Sequence, residues 1–335
     1  MSIKTMNILV TGSAGFLGSP LSFNLLQMGH KIIGVDNYLN SNDQSTKILK
    51  KYFKDGFIFY NFNLANNIYK LDQVFLKHKP DLVVHFAALK SVEESLNKPE
   101  LYWENNVQST KNILNSMANY SCNKIIYSSS AAVYGNQKIQ PIKEDQLLNP
   151  ISVYAKTKAS CEKIIKEANA NFKIDGISLR YFNPIGFHSS NLFKDKLIED
   201  EGSIINEIIK VALNKNKTLK IYGKEYSTKD GTCERDFIHI DDLLDAHEKS
   251  IAFITKFKGY EVFNVGTGNA VSIIDLVNNF IEHNQVTVNY KFFDRRDGDV
   301  QTSYADIKKI NSMMNWKSKK GLKDMVQDSW RAYSH

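Results

Sequence analysis

Short apolar segments alternate with longer segments of helical periodicity through the first half of the chain. The short segments are apolar on both faces, which is typical of strands buried within a parallel sheet. They predict strands at 7–11, 31–36, 57–62, 82–86, 124–129 and 177–181. The segments between them predict helices at 15–28, 45–53, 68–78, 99–120 and 152–171. This alternation predicts an α/β protein with a doubly wound parallel sheet that carries helices on both faces.

The second half of the chain is less regular and begins with a long polar stretch at 186–202. The apolar pattern that follows predicts helices near 204–213, 241–254, 273–283, 306–314 and 322–332, and strands near 219–222 and 262–265. A chain of this length has room for two domains of ordinary size. We expect a nucleotide-binding domain over 1–184, with later segments near 236–268 returning to it, and a smaller α/β substrate domain over 185–335.

The overall composition is that of a soluble globular protein, with 42% hydrophobic and 24% charged residues in a chain of 335. It excludes collagen-like, disordered and disulfide-scaffold proteins. The 43 basic and 36 acidic side chains give a net charge of +7, but the lysines are scattered along the chain. We therefore expect a solvated lysine-rich surface and no nucleic-acid partner.

The cysteines and the hydropathy bear on the compartment. Cys122, Cys161 and Cys233 are odd in number and widely spaced, which favours a reducing environment and a cytoplasmic protein. The longest mostly apolar stretch, 82–89, is far too short to span a bilayer, and the first residues have no signal-peptide core. No membrane association is expected. No set of His, Cys, Asp and Glu has the spacing of metal ligands, so no metal is expected.

The sequence TGSAGFLGS follows the first predicted strand and carries Gly12, Gly15 and Gly18. Glycines in such a strand–turn–helix context are typical of a Rossmann-type dinucleotide site. They would permit a tight turn, close approach of the backbone to a pyrophosphate, and close packing of helix on strand, while the helix N-terminus attracts the anion. Asp36 ends the second strand, where it would accept both ribose hydroxyls and repel a 2′-phosphate. This favours NAD over NADP.

A second group of chemically active side chains follows the strand at 124–129. Ser130 comes at its end, and Tyr154 and Lys158 lie four residues apart, so they share one face of the next predicted helix. A phenol has a pKa of about 10, too high for a base at neutral pH. The Lys158 ammonium and a positive nicotinamide ring would favour the phenolate, and Ser130 would hydrogen-bond the reacting hydroxyl. The three residues therefore predict a catalytic base beside NAD.

With these motifs the chain resembles the extended short-chain dehydrogenases/reductases and, among them, the UDP-glucose 4-epimerase family, including its UDP-N-acetylglucosamine 4-epimerase type. The resemblance runs from Asn7 to about Trp330. It rests on the stretches TGSAGFLGS, VDNYLNS, VVHFAALKSVEES, NNV, IIYSSSAAVYG, YAKTK, LRYFNPIG, DGTCERDFIHIDDL, FNVGTG and RRDGD. It implies C4 epimerisation of a UDP-hexose through a transient 4-keto sugar, tightly bound NAD, and a homodimer paired through the helices at 99–120 and 152–171.

The resemblance also implies the binding residues. Its cofactor-binding set is Gly12, Gly15, Phe16, Leu17, Gly18, Asp36, Asn37, Ser41, Asn63, Leu64, Phe86, Ala87, Ala88, Lys90, Asn105, Ser130, Tyr154, Lys158 and Phe182. Its substrate-binding set is Lys90, Ser130, Tyr154, Asn183, Ser203, Ile204, Lys220, Tyr222, Arg235, Arg296, Asp299 and Ser303. The two arginines suit a diphosphate, because a guanidinium binds phosphate oxygens in a bidentate manner.

Two positions depart from the family pattern. The family usually has Asp where this chain has Asn63, and an Asn-Leu pair where it has Gly202-Ser203-Ile204. The first change keeps a hydrogen-bond acceptor but removes a charge. The second implies that the uridine contacts are partly rebuilt, so another nucleotide base is conceivable.

Several related reactions compete with C4 epimerisation. The 4,6-dehydratases usually carry acidic residues directly after the active-site hydroxyl, and the decarboxylases a Glu, whereas Ser130 is followed by Ala131 and Ala132. A UDP-glucuronate-type 4-epimerase uses the same Ser/Tyr/Lys set and stays open, as does another NAD-dependent nucleotide-sugar enzyme. A silent NAD-binding regulator is the alternative outside enzymes, and the intact Ser130, Tyr154 and Lys158 argue against it.

Ser303 bears on the size of the sugar. By resemblance it follows Asp299 by four residues and edges the sugar pocket, where enzymes restricted to plain hexoses have a Tyr. A serine would leave room for an acetamido group, so we expect UDP-N-acetylglucosamine and UDP-N-acetylgalactosamine to be substrates, alone or with UDP-glucose and UDP-galactose. The alternative is that another side chain covers Ser303.

Other conspicuous polar residues are expected to be structural. His85 lies in a predicted buried strand and is expected to be a satisfied core residue. His239, Asp241 and Asp242 are expected to begin a helix, with a carboxylate capping its N-terminus.

Overall fold

The computed structural model describes residues 5–193, 203–214, 217–296 and 299–334, and these form two compact units. The first unit contains the chain up to Val133 together with Ser152–Arg180 and His247–Val262. The second contains Tyr134–Ile151, Tyr181–Ala246 and the chain from Phe263 onward.

Residues 134–151 belong to the second unit, whereas the sequence analysis assigned them to the first domain. Hydrogen bonds to residues late in the chain explain the difference. Ile142 N donates to Tyr304 O at 2.9 Å, and Gln140 Nε2 donates to Thr302 O at 2.9 Å. Such long-range bonds leave no local pattern in the sequence.

The segment that returns to the first unit is 247–262, which is shorter than the predicted 236–268. Its flanks remain in the second unit. The buried carboxylate of Asp236 explains part of this, because it accepts hydrogen bonds from Thr267 N at 2.7 Å and Ala305 N at 3.1 Å.

A seven-stranded sheet has the order expected of a doubly wound protein. In chain order, the strands of the described residues are β1 Asn7–Thr11, β2 Lys31–Asp36, β3 Phe57–Asn61, β4 Leu82–His85, β5 Lys124–Ser130, β6 Asp175–Tyr181, β7 Asn183–Ile185, β8 Leu219–Tyr222, β9 Glu234–Arg235, β10 Phe237–His239, β11 Tyr260–Val265, β12 Val271–Ser272, β13 Tyr290–Phe293 and β14 Thr302–Ser303. The large sheet has the order β11-β6-β5-β4-β1-β2-β3. Its pairs β1–β2, β2–β3, β1–β4 and β4–β5 are parallel. The predicted Rossmann-type fold is confirmed, with the switch point for ligand binding between β1 and β4.

The predicted helices agree with the observed ones to within two residues at each end, with two exceptions, and the helix at Val92–Asn97 was not predicted. Their bounds are α1 Gly18–Gln27, α2 Gln44–Tyr52, α3 Ile68–His78, α4 Val92–Asn97, α5 Pro99–Tyr102, α6 Ser109–Asn119, α7 Val153–Phe172, α8 Ile204–Leu213, α9 Ile240–Ile254, α10 Ile273–Asn284, α11 Lys308–Met314 and α12 Leu322–Arg331. The first exception is α1, which begins at Gly18 because residues 12–17 form the preceding loop. The second is the predicted helix 99–120, which a π-helical turn at Trp103–Gln108 interrupts.

The core of the first unit packs on both faces of the large sheet. Apolar strand residues such as Leu9, Val83 and Ile125 are fully buried and pack with helix residues such as Ile113 and Ile165. Burial on both faces explains the continuous apolar runs of these strands.

The second unit has its own core and three small sheets. Strands β7 and β10 pair in parallel, β8 pairs with β13, and β12, β9 and β14 form a three-stranded sheet in that order. Its core lies between α8, α10 and α12, with Ile208, Leu276 and Val326 fully buried. In the part of the chain that is described, no helix combines the length and hydropathy needed to cross a membrane.

Candidate active site

The glycine loop lies between β1 and α1, and packing explains two of its three glycines. A Cβ at Gly18 would lie 2.1 Å from Gly12 O, and one at Gly12 would lie 2.8 Å from Ala87 N. Gly12 also has a φ of 69°, in the region that favours glycine. At Gly15 the nearest heavy atom of the described chain, Gly12 O, would be 3.2 Å from the Cβ. This contact with the backbone is tight, so packing also disfavours a side chain at Gly15, although less strongly than at Gly12 and Gly18.

Asp36 ends β2 and ties the glycine loop to the next turn. One carboxylate oxygen accepts from Ala14 N at 3.0 Å, and the other accepts from Tyr38 N at 2.9 Å and Ser41 Oγ at 3.0 Å. A carboxylate has about four acceptor sites, and the Ser41 hydroxyl can rotate, so acceptor capacity remains for a ribose. Asn37 is exposed and holds the same turn by accepting from Leu39 N at 3.0 Å.

The segment after β4 contacts the glycine loop. Phe86 N donates to Thr11 O at 3.1 Å, and Ala87 approaches Gly12 as described above. Lys90 is exposed, with its Nζ 5.9 Å from the centre of the Phe16 ring. Phe16, Leu17 and Ala88 are half-buried. Residues from these two loops are thus adjacent, as the predicted cofactor set requires.

The other predicted cofactor residues lie on three separate elements. Asn63 Oδ1 accepts from Ala65 N at 2.8 Å, and the carbonyl of buried Leu64 accepts from Asn112 at 2.8 Å. Asn105 lies in the π-helical turn and donates to Leu101 O at 3.0 Å. Phe182 is buried after β6, and its N–H donates to Val265 O at 3.1 Å in the second unit.

The side chains predicted to be catalytic meet at the end of β5. Ser130 is the last residue of that strand, and its Oγ accepts from Ala132 N at 3.2 Å. Ser152 caps α7 by accepting from Ala155 N at 3.1 Å, which fixes the start of the helix that carries Tyr154. Lys158 is buried, and its Nζ donates to Ser128 O at 2.6 Å. The three side chains that the sequence grouped are therefore close together.

The electrostatics differ in one respect from the expectation. Burial raises the pKa of Tyr154, while the hydrogen bond with Ser130 lowers it to a smaller extent. Burial also lowers the pKa of Lys158 to about 8, against the opposing influence of Cys161 and Glu162. The Lys158 Nζ lies 5.9 Å from the centre of the Tyr154 ring. By itself, the protein therefore holds a neutral phenol beside a lysine that is easily deprotonated.

A buried ion pair supports this region, and the sequence analysis missed it. Arg180 on β6 donates to Glu162 through Nε at 2.9 Å and through Nη2 at 2.6 Å, and both side chains are 5% exposed. Ser129 Oγ also donates to Glu162, at 2.5 Å. Glu162 follows Lys158 by one helical turn, so the carboxylate joins α7 to β5 and β6. The signal available in the sequence was Arg180 itself, because a charged residue within a predicted buried strand requires a buried partner.

The residues predicted to bind the sugar nucleotide lie largely in the second unit. Arg235 Nη2 donates to Asp299 Oδ1 at 2.5 Å, which joins β9 to the segment before β14. The Arg296 guanidinium lies 3.8 Å from the centre of the Tyr222 ring. Arg235 also donates through Nη1 to Glu234 O at 2.8 Å, so its guanidinium is fixed by two protein oxygens.

Four further predicted substrate residues belong to the same unit. Asn183 N donates to Asp236 O at 3.0 Å, and Lys220 is exposed with its Nζ 5.4 Å from the centre of the Phe293 ring. Ser203 begins α8, where Ile204 packs on the core. Gly202 lies outside the described residues. Sequence reasoning missed Asp236, whose pKa burial raises.

Ser303 lies beside Arg235 in the β9–β14 pair and is half-buried. An open cleft of about 870 Å³ is lined by its neighbours Thr302 and Tyr304, together with Glu234 and Asp299. Side chains alternate along a strand, so Ser303 and Arg235 face away from the side that carries Thr302 and Glu234.

The residues expected to be structural behave largely in that way. His85 is 1% exposed and hydrogen-bonds Thr11 and Thr110, as predicted. His239 Nδ1 accepts from Asp241 N at 2.9 Å. Asp242 instead accepts from Lys319 N at 3.0 Å and from Lys320 N. The described ranges contain no group of three or more His, Cys, Asp or Glu that could hold a metal ion.

The parallel sheet, the glycine loop after β1 and the Ser130–Tyr154–Lys158 group define a protein of the short-chain dehydrogenase/reductase class. Residues 9–329 match the family model described as GDP-mannose 4,6 dehydratase. The chain is also 37% identical to the UDP-glucose 4-epimerase of Bacillus subtilis, over 97% of this chain and 96% of that protein. These matches show that the chain belongs to the UDP-glucose 4-epimerase family within this larger group.

Solved structures agree with this assignment. The UDP-glucose-4-epimerase of Stenotrophomonas maltophila, with bound NAD and formylated UDP-arabinopyranose, superposes with a TM-score of 0.93 at 32% identity, over 98% of this chain and 97% of that one. The UDP-Glc/GlcNAc 4-epimerase of Campylobacter jejuni superposes with a TM-score of 0.85 at 29% identity, over 98% of both chains.

Proposed function

We propose that this protein is a UDP-hexose 4-epimerase that uses NAD to invert C4 of the sugar through a transient 4-keto intermediate. The observation that carries the proposal is the convergence of Ser130, Tyr154 and the buried Lys158 at the end of β5. The first unit supplies this chemistry and the cofactor site, and the second unit holds the UDP portion through Arg235 and Arg296.

The glycine loop and Asp36 fit NAD. A glycine-rich turn between a strand and a helix lets a pyrophosphate approach the backbone closely, and the carboxylate at the end of β2 suits a ribose with both hydroxyls free. When bound, NAD would supply the reversible hydride chemistry at C4, and its oxidised form would add a positive charge. Tight retention is expected because the cofactor is restored in each cycle.

Tyr154 accepts the proton of the sugar 4-hydroxyl and later returns it. Burial favours the neutral phenol, so the base forms only when positive charge is near. The protonated Lys158 supplies part of that charge. Ser130 hydrogen-bonds the reacting hydroxyl and the phenol, which aligns the proton for transfer.

Elimination of water, the reaction in the name of the matched family model, is disfavoured by the short helical turn after β5. A dehydratase needs an additional acid and base, whereas Ala131 and Ala132 fill the first two positions of that turn. These methyl side chains have no proton to exchange. C4 inversion requires only the single base at Tyr154.

The substrate range is proposed to include N-acetylated sugars. Ser303 is half-buried and lies next to Arg235, so a small side chain borders the place expected for the sugar. A Campylobacter jejuni protein of the same fold is described as a UDP-Glc/GlcNAc 4-epimerase, which makes dual specificity compatible with this fold.

The test is to assay wild type, Ser303→Tyr and the conservative Ser303→Ala with UDP-glucose, UDP-galactose and both N-acetylated analogues, resolving products by chromatography. We expect Ser303→Tyr to lose turnover of the acetylated sugars selectively and Ser303→Ala to keep it. Equal acetylated-sugar turnover in wild type and Ser303→Tyr would contradict the role of Ser303. Absence of C4 inversion with all four sugars would contradict the proposed function itself.

We also propose that two copies associate through the region around α4 and the π-helical turn. Val92, Leu96 and Trp103 are 49%, 63% and 41% exposed, which places three large apolar side chains on the surface of these helices. The partner is a second copy of this chain. The resemblance implies pairing through the helices at 99–120 and 152–171, and of the three exposed residues Trp103 lies within the first of these ranges. Light scattering of wild type and Trp103→Glu tests this: we expect a dimer that the charge weakens, and a monomeric wild type would contradict it.

A cytoplasmic location is proposed from the cysteines. Cys122, Cys161 and Cys233 are all buried and unbridged, and burial raises the pKa of each thiol. Such inert thiols are compatible with a reducing compartment. Fractionation of cells that produce the protein checks this, and recovery outside the cytoplasm would contradict it.

A further inference from the structure

His85 is a buried titratable residue that the proposed reaction does not use. It lies at the centre of a chain of hydrogen bonds beside the loops that are expected to hold the cofactor. Its Nδ1 is 2.7 Å from Thr11 Oγ1, and its Nε2 is 3.0 Å from Thr110 Oγ1. Thr11 and Thr110 are fully buried and His85 is 1% exposed, so each of these groups must find its partner inside the protein.

The proton arrangement at one end of the chain follows from Thr11. Ala87 N–H donates to Thr11 Oγ1 at 3.3 Å, so the Thr11 hydroxyl proton must be donated elsewhere. Among the described residues, the acceptor within hydrogen-bond distance of this hydroxyl is His85 Nδ1. Nδ1 therefore carries a lone pair rather than a proton.

The other end of the chain leads independently to the same arrangement. The Thr110 hydroxyl donates to Asn106 O at 2.8 Å, with Cys161 Sγ as a second acceptor at 3.3 Å. Its one proton is thereby used, and its oxygen must accept from His85 Nε2. A neutral imidazole with its proton on Nε2 satisfies both ends. Burial and the nearby positive Lys158 lower the pKa of His85 to about 3, which keeps the ring neutral near pH 7.

The side chain of Asn106 links this chain of hydrogen bonds to the loop from Phe86 to Leu89. It is 1% exposed and lies in the π-helical turn. Its Oδ1 accepts from Leu89 N at 2.8 Å, and its Nδ2 donates to Leu89 O at 3.1 Å and to Thr157 Oγ1 at 3.0 Å. Thr157 lies on α7 between Tyr154 and Lys158, and it donates to Tyr154 O at 2.7 Å.

We propose that His85 is a positioning residue whose neutral Nε2–H form connects Ala87 N–H, through Thr11 and Thr110, to the carbonyl of Asn106. The loop from Phe86 to Leu89 is thereby held at both ends, at Ala87 by this one-way chain and at Leu89 by the Asn106 side chain. Its position relative to α7 is fixed before any ligand binds. The consequence for NAD affinity rests on the proposed placement of the cofactor beside this loop.

The tautomer is tested on the whole protein, without substrate. In ¹⁵N-histidine-labelled protein near pH 7, we expect His85 to show an unprotonated Nδ1 and a protonated Nε2, with its resonances assigned by their loss in His85→Phe. A proton on Nδ1, or a charged ring, would overturn the proposal. This readout does not depend on whether the protein is an epimerase.

The positioning role is tested by Thr110→Val, which removes the hydroxyl at nearly constant volume. We expect the affinity for NAD to fall by about tenfold, the size of one buried hydrogen bond, and the affinity for UDP to be unchanged. Thr110→Ser keeps the hydroxyl and should restore NAD affinity. Ser116→Ala is the matched control, because it removes a buried hydroxyl on the same helix that instead bonds Asp72.

The outcomes separate this proposal from the proposed function. Unchanged NAD affinity in Thr110→Val, or an equal loss in Thr110→Ser or Ser116→Ala, would overturn the positioning role. If wild type bound no NAD while His85 showed the expected tautomer, the proposed function would fail and the hydrogen-bond chain would stand.

Discussion

The two units hold their candidate functional residues in different ways. In the first unit, Ser130 ends a strand and Tyr154 and Lys158 lie on a long capped helix, with buried hydrogen bonds around them. In the second unit, Arg235 and Ser303 lie on paired strands of two residues, and the side-chain partner of Arg235 is Asp299, which lies outside any strand. The residues proposed for catalysis thus lie on long regular elements, whereas those proposed to bind the substrate lie on very short strands and the loops beside them.

The largest effect is expected in the first unit, from Tyr154→Phe. Removal of the hydroxyl deletes the base and should lower kcat by at least about 10²–10⁴-fold, the usual contribution of general base catalysis. NAD content and UDP affinity, measured alongside the rate of C4 inversion, should stay near wild type. An undiminished rate would break the assignment of the chemistry to the first unit.

Breaking the buried ion pair should cost stability. Glu162→Leu leaves Arg180 buried without its carboxylate, and we expect the free energy of unfolding to fall by about 3–5 kcal/mol in urea denaturation. The matched control is Lys98→Met, which breaks the exposed pair with Glu94 and should cost no more than about 0.5 kcal/mol. If the free energy of unfolding fell by similar amounts in the two variants, burial of Arg180 would not be the reason why Glu162 contributes to stability.

The second unit should respond in binding rather than stability. Arg235→Gln removes the guanidinium that Asp299 orients, so we expect the affinity for UDP to fall about tenfold or more, in keeping with loss of a charge-assisted hydrogen bond. NAD affinity should change little, because Arg235 and Asp299 are not among the residues expected to hold the cofactor. The free energy of unfolding should fall less than in Glu162→Leu, because the Arg235 and Asp299 side chains are 17% and 22% exposed, against 5% for Arg180 and Glu162. If calorimetric titration showed parallel losses of UDP and NAD affinity, this would contradict the proposal that the second unit binds UDP and the first unit binds NAD.

The smallest effect concerns pH and Lys158. Its pKa is lowered to about 8 in the folded protein, whereas an unfolded lysine has a pKa of about 10.4. Between these values the unfolded chain binds more protons, so this residue's contribution to the free energy of unfolding rises with pH, by at most about 1.4 kcal/mol per unit. The free energy of unfolding of wild type minus that of Lys158→Met, measured by urea denaturation at several pH values, should show that rise. A flat difference across this window would contradict the lowered pKa.

The sequence predicted regular elements well where local signals agree. Helix α3 and strand β8 have the predicted bounds, since apolar periodicity and flanking polar residues coincide there. The spacing of Tyr154 and Lys158 likewise required only a continuous helix. The two-residue strands β9 and β14 exist through long-range pairing, which no local periodicity records.

The supporting residues of the site were harder to predict. Glu162 and Arg180 are eighteen positions apart and meet only because α7 packs on the sheet. Asp36 was expected to serve a ribose, but three protein groups already bond to its carboxylate. Sequence motifs thus identified the chemical groups, whereas their partners depend on tertiary packing.

The π-helical turn at Trp103–Gln108 constrains how this stretch can change length. A wider turn accommodates one extra residue, and removing a single residue would let the helix run on in regular form. The helical segments on either side would keep their faces, because the wider turn absorbs the extra residue locally, but the residues within the turn would point in new directions. Asn106 could no longer face both Leu89 and Thr157, so single-residue deletions here should be far less tolerated than substitutions at the exposed positions of the same turn.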